Sequence, residues 1–242
     1  MALVKALIIS DVHANIYALE NIWKQEKDSD VIYCAGDLVD YGPFPKEVIQ
    51  WVTEHKVLCV KGNHDERVAA LYRNKDQLWN VSDEERTWAH DNAQKLNEAE
   101  IEFLENLPQS ITFTMDSIGY SMQHMYNNYE TIASLHHYYN FWEQMTKEPI
   151  ASMEHKRMIF GHTHRRAIHY LSNHELWMNP GSISYRRPDD PSKEAHYMTI
   201  TDGRIDMKSL SYDRSPLLQA TLSTTLKQKG ERDVALVFFG EK

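Results

Sequence analysis

Three runs early in the chain, VKALIIS (4–10), VIYCAG (31–36) and VLCVKG (57–62), are apolar almost throughout, with no apolar–polar alternation. A strand of that kind has both faces covered, so it belongs inside a sheet packed on two sides. Between the runs the period changes to that of a helix. NIYALENIWKQE places Ile16, Leu19, Ile22 and Trp23 on one face, and Pro45 opens a second helix through Trp51. Strands separated by helices can pair in parallel, because the helix supplies the long crossover that parallel neighbours need. These 62 residues therefore predict an α/β fold.

Residues 66–107 read as helical. Ser82 with Glu85 forms a capping-box pattern for a helix through about Leu96, and Asn97 with Glu100 opens another. From Ile111 short strands follow: ITFTM, GYSMQH, KRMIFG, AIHYL, HELWM, AHYMTI and RIDMKSL. An aromatic-rich helical stretch at about 125–150 interrupts them and reads as a flap, with Ile132, Leu135, Tyr139 and Trp142 on one face and His136 and His137 on an exposed one. The tail from Ser215 is expected to form a helix and a short strand. No repeat, linker or low-complexity segment divides the chain, so residues 1–242 are read as one domain.

Charge and cysteine usage narrow the function classes. The 26 Lys+Arg against 35 Asp+Glu give a net charge of −9, which disfavours a protein that coats a nucleic-acid polymer. Cys34 and Cys59 each sit in an apolar run and read as buried free thiols of a reducing compartment, so the protein is expected to be cytoplasmic. No apolar run approaches the roughly 18–20 residues of a membrane span. The opening MALVKALIIS reads as a buried strand rather than a signal peptide.

Nearly all the unusual polar residues fall in five short segments, each where an expected strand ends. These are Asp11-Val-His13, Gly36-Asp37-Leu-Val-Asp40, Gly62-Asn63-His64-Asp65, His124, and Gly161-His162-Thr-His164. Ligand clefts of open α/β sheets form at the carboxyl ends of strands. In an extended chain residues i and i+2 project to one side, so Asp11/His13 and His162/His164 would each present two groups together. Asp11, Asp37 and Asn63 with His13, His124, His162 and His164 offer three oxygen-bearing and four imidazole side chains. That set is too large for one zinc ion and suits two neighbouring divalent ions sharing a carboxylate. Without a thiolate it points to Mn, Fe, Zn, Ni or Co rather than calcium or a lone magnesium. Two such ions outweigh the charges of Asp11 and Asp37, leaving a locally cationic hole suited to a phosphate.

The combination D-x-H, G-D-x-x-D, G-N-H-D, a lone His at a strand end and G-H-T-H resembles the calcineurin-like metallophosphoesterase superfamily. GDLVDYGPFPKEVI and NPGSISYRRP are most similar to its small prokaryotic members, the YfcE-like phosphodiesterases and the diadenosine-tetraphosphatase-like phosphoesterases. The resemblance spans roughly residues 4–187. It implies a four-layer α-β-β-α sandwich of two mixed sheets flanked by helices. It also implies that Asp11, His13 and His164 hold one metal, that Asp37 bridges, and that Asn63, His124 and His162 hold the second, with manganese or iron favoured. His64 is then the catalytic histidine that stabilises the transition state or protonates the leaving oxygen, and Asp65 orients it. The implied reaction is phosphoester hydrolysis by a metal-bound hydroxide without a covalent intermediate. Two positions depart from the family pattern: Met125 replaces a glycine after the lone His, and Tyr41 replaces the arginine of phosphoprotein phosphatases and symmetrical diadenosine tetraphosphatases. Asp40 is read as hydrogen-bonding within its own turn.

Arginine forks grip phosphate oxygens, so Arg165 after G-H-T-H and Arg186 after the N-P-G-S turn are candidates for a distal phosphate. For Arg186 and Arg187 the alternative is a solvated pair balancing Asp189 and Asp190. Tyr126 and Tyr129 closely follow His124 and could stack on a base, ordinary packing being the alternative. The sequence thus predicts a dinuclear phosphoesterase acting on a small phosphodiester or nucleotide-type substrate, a dinucleoside polyphosphate being one specific case. A phosphomonoesterase and a non-catalytic scaffold of the same fold are the alternatives. Retention of all seven ligand positions with His64 and Asp65 weighs against the scaffold. The oligomeric state is not legible.

Overall fold

The structure is a computed structural model and describes residues 4–126, 131–185, 192–224, 226 and 229–239. Along the chain run β1 (Lys5–Ile9), α1 (Ile16–Gln25), β2 (Val31–Cys34), α2 (Pro45–Glu54), β3 (Leu58–Cys59) and the helices α3 (Asn63–Arg73), α4 (Lys75–Trp79), α5 (Trp88–Lys95) and α6 (Glu98–Asn106). Then come β4 (Ser110–Met115), β5 (Ile118–Gln123), α7 (Leu135–Met145), β6 (His155–Ile159), β7 (Ala167–Tyr170), β8 (Glu175–Asn179), β9 (Ala195–Thr201), β10 (Arg204–Leu210), α8 (Ser215–Ser223) and α9 (Lys229–Phe239). They build two mixed five-stranded sheets, ordered β10-β9-β1-β2-β3 and β4-β5-β6-β8-β7. β1, β2 and β3 pair in parallel, as do β5, β6 and β8, and the remaining pairings are antiparallel.

The continuous apolar runs are explained by this layering. Along β1, Ala6 and Ile8 point between the sheets, where they meet Tyr120, Met122, Ile159 and Met178 of the other sheet. Leu7 and Ile9 point the opposite way, against Leu19 and Ile22 of α1 and Val48 and Val52 of α2. α7 covers the far face of the second sheet, burying Tyr138, Phe141 and Trp142 with Met158 and Phe160. The architecture is the expected four-layer sandwich of helices, sheet, sheet and helices.

Several local expectations are corrected. The buried face of α7 is Tyr138, Phe141 and Trp142, while Leu135 and Tyr139 are partly exposed. The three rings at i, i+3 and i+4 share one side of the helix and pack into one cluster with Met158 and Phe160. The helix also starts later, behind its cap Ser134, so Ile132 reaches the same cluster from the preceding loop. Ser82 spends its hydroxyl on the Glu85 carboxylate (2.9 Å) instead of capping a backbone N–H, and α5 begins only at Trp88. The Asn97–Glu100 box forms as expected, with reciprocal bonds of 2.8 and 3.0 Å. The tail forms two helices, because Ala235 and Phe239 one turn apart bury together against Leu217, Trp88 and Tyr185. No described helix is long and apolar enough to cross a membrane.

Candidate metal centre

The loops after β1, β2 and β3 in one sheet and after β5 and β6 in the other meet at one end of the sandwich. Backbone bonds join them: Asp11 N to Gly36 O (3.0 Å), His13 N to Asp37 O (3.0 Å) and Gly161 N to His124 O (3.0 Å). Two glycines allow this closeness. A Cβ on Gly62 would stand 2.0 Å from Asp37 Oδ1, and one on Gly161 would stand 2.0 Å from Ser10 Oγ. The chain here is not extended. Asp11, His13, Asp37, His162 and His164 have φ of +52°, +47°, +57°, +66° and +58°. The i, i+2 argument consequently fails for the second pair: Asp11 and His13 share a cluster, whereas His162 and His164 divide between two.

All seven ligand candidates are brought together. In the first cluster His164 Nε2 lies 3.3 Å from Asp11 Oδ1 and 3.1 Å from His13 Nε2. In the second, His124 Nε2 lies 3.1 Å from Asp37 Oδ2, 3.0 Å from Asn63 Oδ1 and 3.1 Å from His162 Nδ1, which is 2.8 Å from the same Asn63 oxygen. Asp37 links the two, its Oδ2 also standing 3.9 Å from His13 Nε2. The donor set fits divalent cations. His124 Nδ1 donates to Ala35 O (2.7 Å), which turns its Nε2 into the cluster. His13 Nδ1 is buried with no hydrogen-bond partner among the described residues, so protein groups alone do not satisfy this ring.

Electrostatics agree with that fit. Burial pushes His13 down to about 3 and, with the nearby His124, pushes His162 down to about 4, keeping both rings in the neutral, ligating form. His124 goes the other way: burial opposes its charge, but Asp37 outweighs this and lifts it to about 9. Burial also disfavours the Asp11 and Asp37 carboxylates, yet His164 beside the first and His124 beside the second hold both below the ordinary range.

His64 lies on the first turn of α3 beside the first cluster, its ring centroid 5.0 Å from that of His13. Its orienting carboxylate is Asp40, not Asp65. His64 Nδ1 donates to Asp40 Oδ2 at 2.8 Å, and Arg67 Nη1 donates to the same oxygen at 3.2 Å. Asp40 does also bond within its turn, Oδ1 accepting from Tyr41 N at 2.8 Å. Burial opposes the charge of His64, but the bond to Asp40 and the field of Asp37 raise its pKa overall.

Asp65 is a clip for the loops. Its carboxylate accepts from the N–H groups of Asp37 (3.1 Å), Leu38 (2.8 Å), Val39 (3.2 Å) and Gly62 (2.9 Å). Asp65→Ala strands four buried donors, so a loss of about 3 kcal/mol or more in unfolding free energy is expected at 1–3 kcal/mol per unsatisfied group. The urea midpoint measures it, and a loss below about 1 kcal/mol would show the clip to be dispensable.

The substrate candidates divide. Tyr126 is buried beside the second cluster, edge-on to Phe141 with ring centroids 4.5 Å apart. Arg165 is exposed. Tyr129 and Arg186 lie outside the described residues. Other supporting residues were not singled out from the sequence, although Ser182 and Tyr185 lie within NPGSISYRRP. Buried Asn92 of α5 accepts from Asp40 N (2.9 Å) and donates to Gly42 O (2.9 Å), and Ser182 Oγ donates to Asp11 O (2.8 Å). Tyr185 sets its ring edge against His13 at 5.4 Å and is backed by Phe238 and Phe239 of α9.

The chain is 24% identical to an uncharacterized protein of Methanocaldococcus jannaschii over 257 residues, covering 95% of this chain and 98% of that one. Its fold matches a metallophosphoesterase from Sphaerobacter thermophilus with a TM-score of 0.70 at 21% identity, over 97% of this chain and 98% of the other. It also matches a hypothetical protein from Pyrococcus horikoshii OT3 with a TM-score of 0.73 at 15% identity, over 96% and 97%. At those identities the two structures establish likeness of fold. The sequence profile of the calcineurin-like phosphoesterase superfamily domain matches residues 4–203, a span that contains both clusters and His64. The chain belongs to this superfamily of metal-dependent phosphoesterases.

Proposed function

We propose that the protein hydrolyses a small phosphodiester or nucleotide-type substrate at a pair of divalent ions, manganese or iron being favoured. The observation that carries this reading is the pair of donor clusters linked by Asp37, with His64 beside them. Asp11, His13 and His164 would hold one ion, Asn63, His124 and His162 the other, with Asp37 between them. Ions held there supply Lewis acidity to a phosphoryl oxygen and activate water as the nucleophile.

The chain's own residues would do the rest. Asp40 fixes the His64 tautomer by accepting from Nδ1 and favours the protonated ring, which suits Nε2 to hydrogen-bond a phosphoryl oxygen or to protonate the leaving oxygen. Asp65 holds the 37–39 loop and the start of α3 in one frame, which keeps Asp37 and His64 in register. Buried, reduced Cys34 and Cys59 support a cytoplasmic setting, and the net charge of −9 supports a small substrate over a nucleic-acid polymer.

The deciding experiment is initial rates on bis-p-nitrophenyl phosphate and p-nitrophenyl phosphate, using chelator-stripped protein with and without added manganese. Turnover that needs manganese and favours the diester is expected. Preference for the monoester would replace the diesterase reading by a phosphomonoesterase, and no turnover on either by a fully metal-loaded protein would favour a scaffold.

A further inference from the structure

Beside the second cluster the surface sinks into a cleft whose lining includes His124 and His162. The remaining wall is largely apolar: Met125, Tyr126, Ile132, Phe160 and Trp177. No lysine, arginine, aspartate or glutamate lines it among the described residues. Its amide, Asn179, spends its N–H groups internally, on Gly161 O and on Thr163 Oγ1 at 3.1 Å.

These walls are braced from behind. Tyr126 stands edge-on to Phe141 and Phe160, at centroid distances of 4.5 and 6.0 Å. The Trp177 indole N–H donates to Ile132 O at 3.0 Å, which ties two of the lining residues together. One face of the Trp177 ring is stacked on His169 at 3.9 Å. The cleft is therefore preformed by packed aromatic residues, and a ligand entering it pays little to order them.

A phosphoester bound at the clusters would place its anion among the ligands and direct one substituent toward this wall. A second phosphate or a carboxylate there would be desolvated with no lysine or arginine among the described lining residues to answer it. A flat uncharged ring would exchange water for apolar contact. We infer that the cleft receives an uncharged aromatic substituent of the substrate phosphoester, so that Trp177, Ile132 and Tyr126 set the preference for that substituent. This rests on the phosphoesterase reading above and deepens it. It also gives Tyr126 a role as a wall, which its buried edge-on packing suits better than stacking on a base does.

The test is calorimetric titration of the manganese-loaded protein with phenylphosphonate and with methylphosphonate, two non-hydrolysable ligands with the same anionic head. Phenylphosphonate is expected to bind about 10-fold more tightly, equivalent to ~1.4 kcal/mol. Trp177→Ala should bring the ratio to within about 2-fold of unity without weakening methylphosphonate, and Trp177→Phe should keep most of the preference. Equal binding of the two by the native protein would overturn the cleft's role while leaving the phosphoesterase reading intact. If neither ligand binds, the phosphoester site itself is refuted, and the cleft's role falls with it.

Discussion

Asp37→Asn is expected to weaken divalent-ion binding by about 10³-fold. The carboxylate is buried between the two donor clusters and reaches both, at 3.1 Å from His124 Nε2 and 3.9 Å from His13 Nε2. A unit charge about 4 Å from another at an effective dielectric near 20 is worth about 4 kcal/mol, which is roughly 10³ in affinity. Manganese titration measures the loss directly. A second readout needs no metal. Asp37 does most to lift His124 to about 9 against burial, so the variant should carry a His124 that titrates lower than in the native protein. The sign of the linked stability follows. Because the folded-state value is raised, the native metal-free protein gains stability from this pair in full below about pH 6.5 and loses it as pH rises through about 9. The variant's unfolding free energy should lack that decline. Unchanged manganese affinity would remove Asp37 from the ion-binding set.

His64→Ala should lower kcat/KM for the diester by about 10²–10⁴-fold, the usual worth of a positioned acid, with manganese content unchanged. Asp40→Asn should cost less, about 10–100-fold, as expected for a group that orients another. Adding Asp40→Asn to His64→Ala should do little more, because residues acting as one unit are not additive. The pH profile separates orientation from mere packing. Asp40 raises the His64 pKa, so if the protonated ring is the active form, rates fall as pH climbs through that value. In Asp40→Asn the fall should move to lower pH. A profile that keeps its position while the rate drops would show Asp40 to be only a packing element.

The strands and the ligand residues were legible in the sequence for separate reasons. Burial on both faces removes polar positions from β1 and β2, which makes them plain as apolar runs. Imidazoles and carboxylates directly after such runs are too costly to place there without a use. Pairwise geometry was not legible. The resemblance implied that Asp65, the next residue in sequence, orients His64. Both sit in the first turn of α3, where side chains at i and i+1 do not face each other. The partner came instead from Asp40, 24 positions earlier and placed by a tight loop. His162 and His164 do not project to one side as an extended chain would have them, because a left-handed backbone sends them to the two different clusters the resemblance implied. Asn92 carries no motif at all, and its importance arises only when α5 packs beneath the 40–42 loop.

Of the twelve described non-glycine residues with positive φ, eight stand in the loops of this centre: Asp11, His13, Ala14, Asp37, Asp40, Tyr41, His162 and His164. Each costs roughly 1 kcal/mol against an ordinary conformation. The sandwich core absorbs that strain without contributing any donor of its own. A library of variants sorted only for heat resistance should accordingly enrich glycine or asparagine at these positions, Asp37 excepted because its carboxylate pairs with His124. Survivors changed at Asp11, His13, His162 or His164 would be sturdier than the parent and would have given up a ligand, so at those four positions the melting temperature of this fold and its chemistry cannot be improved by the same substitutions.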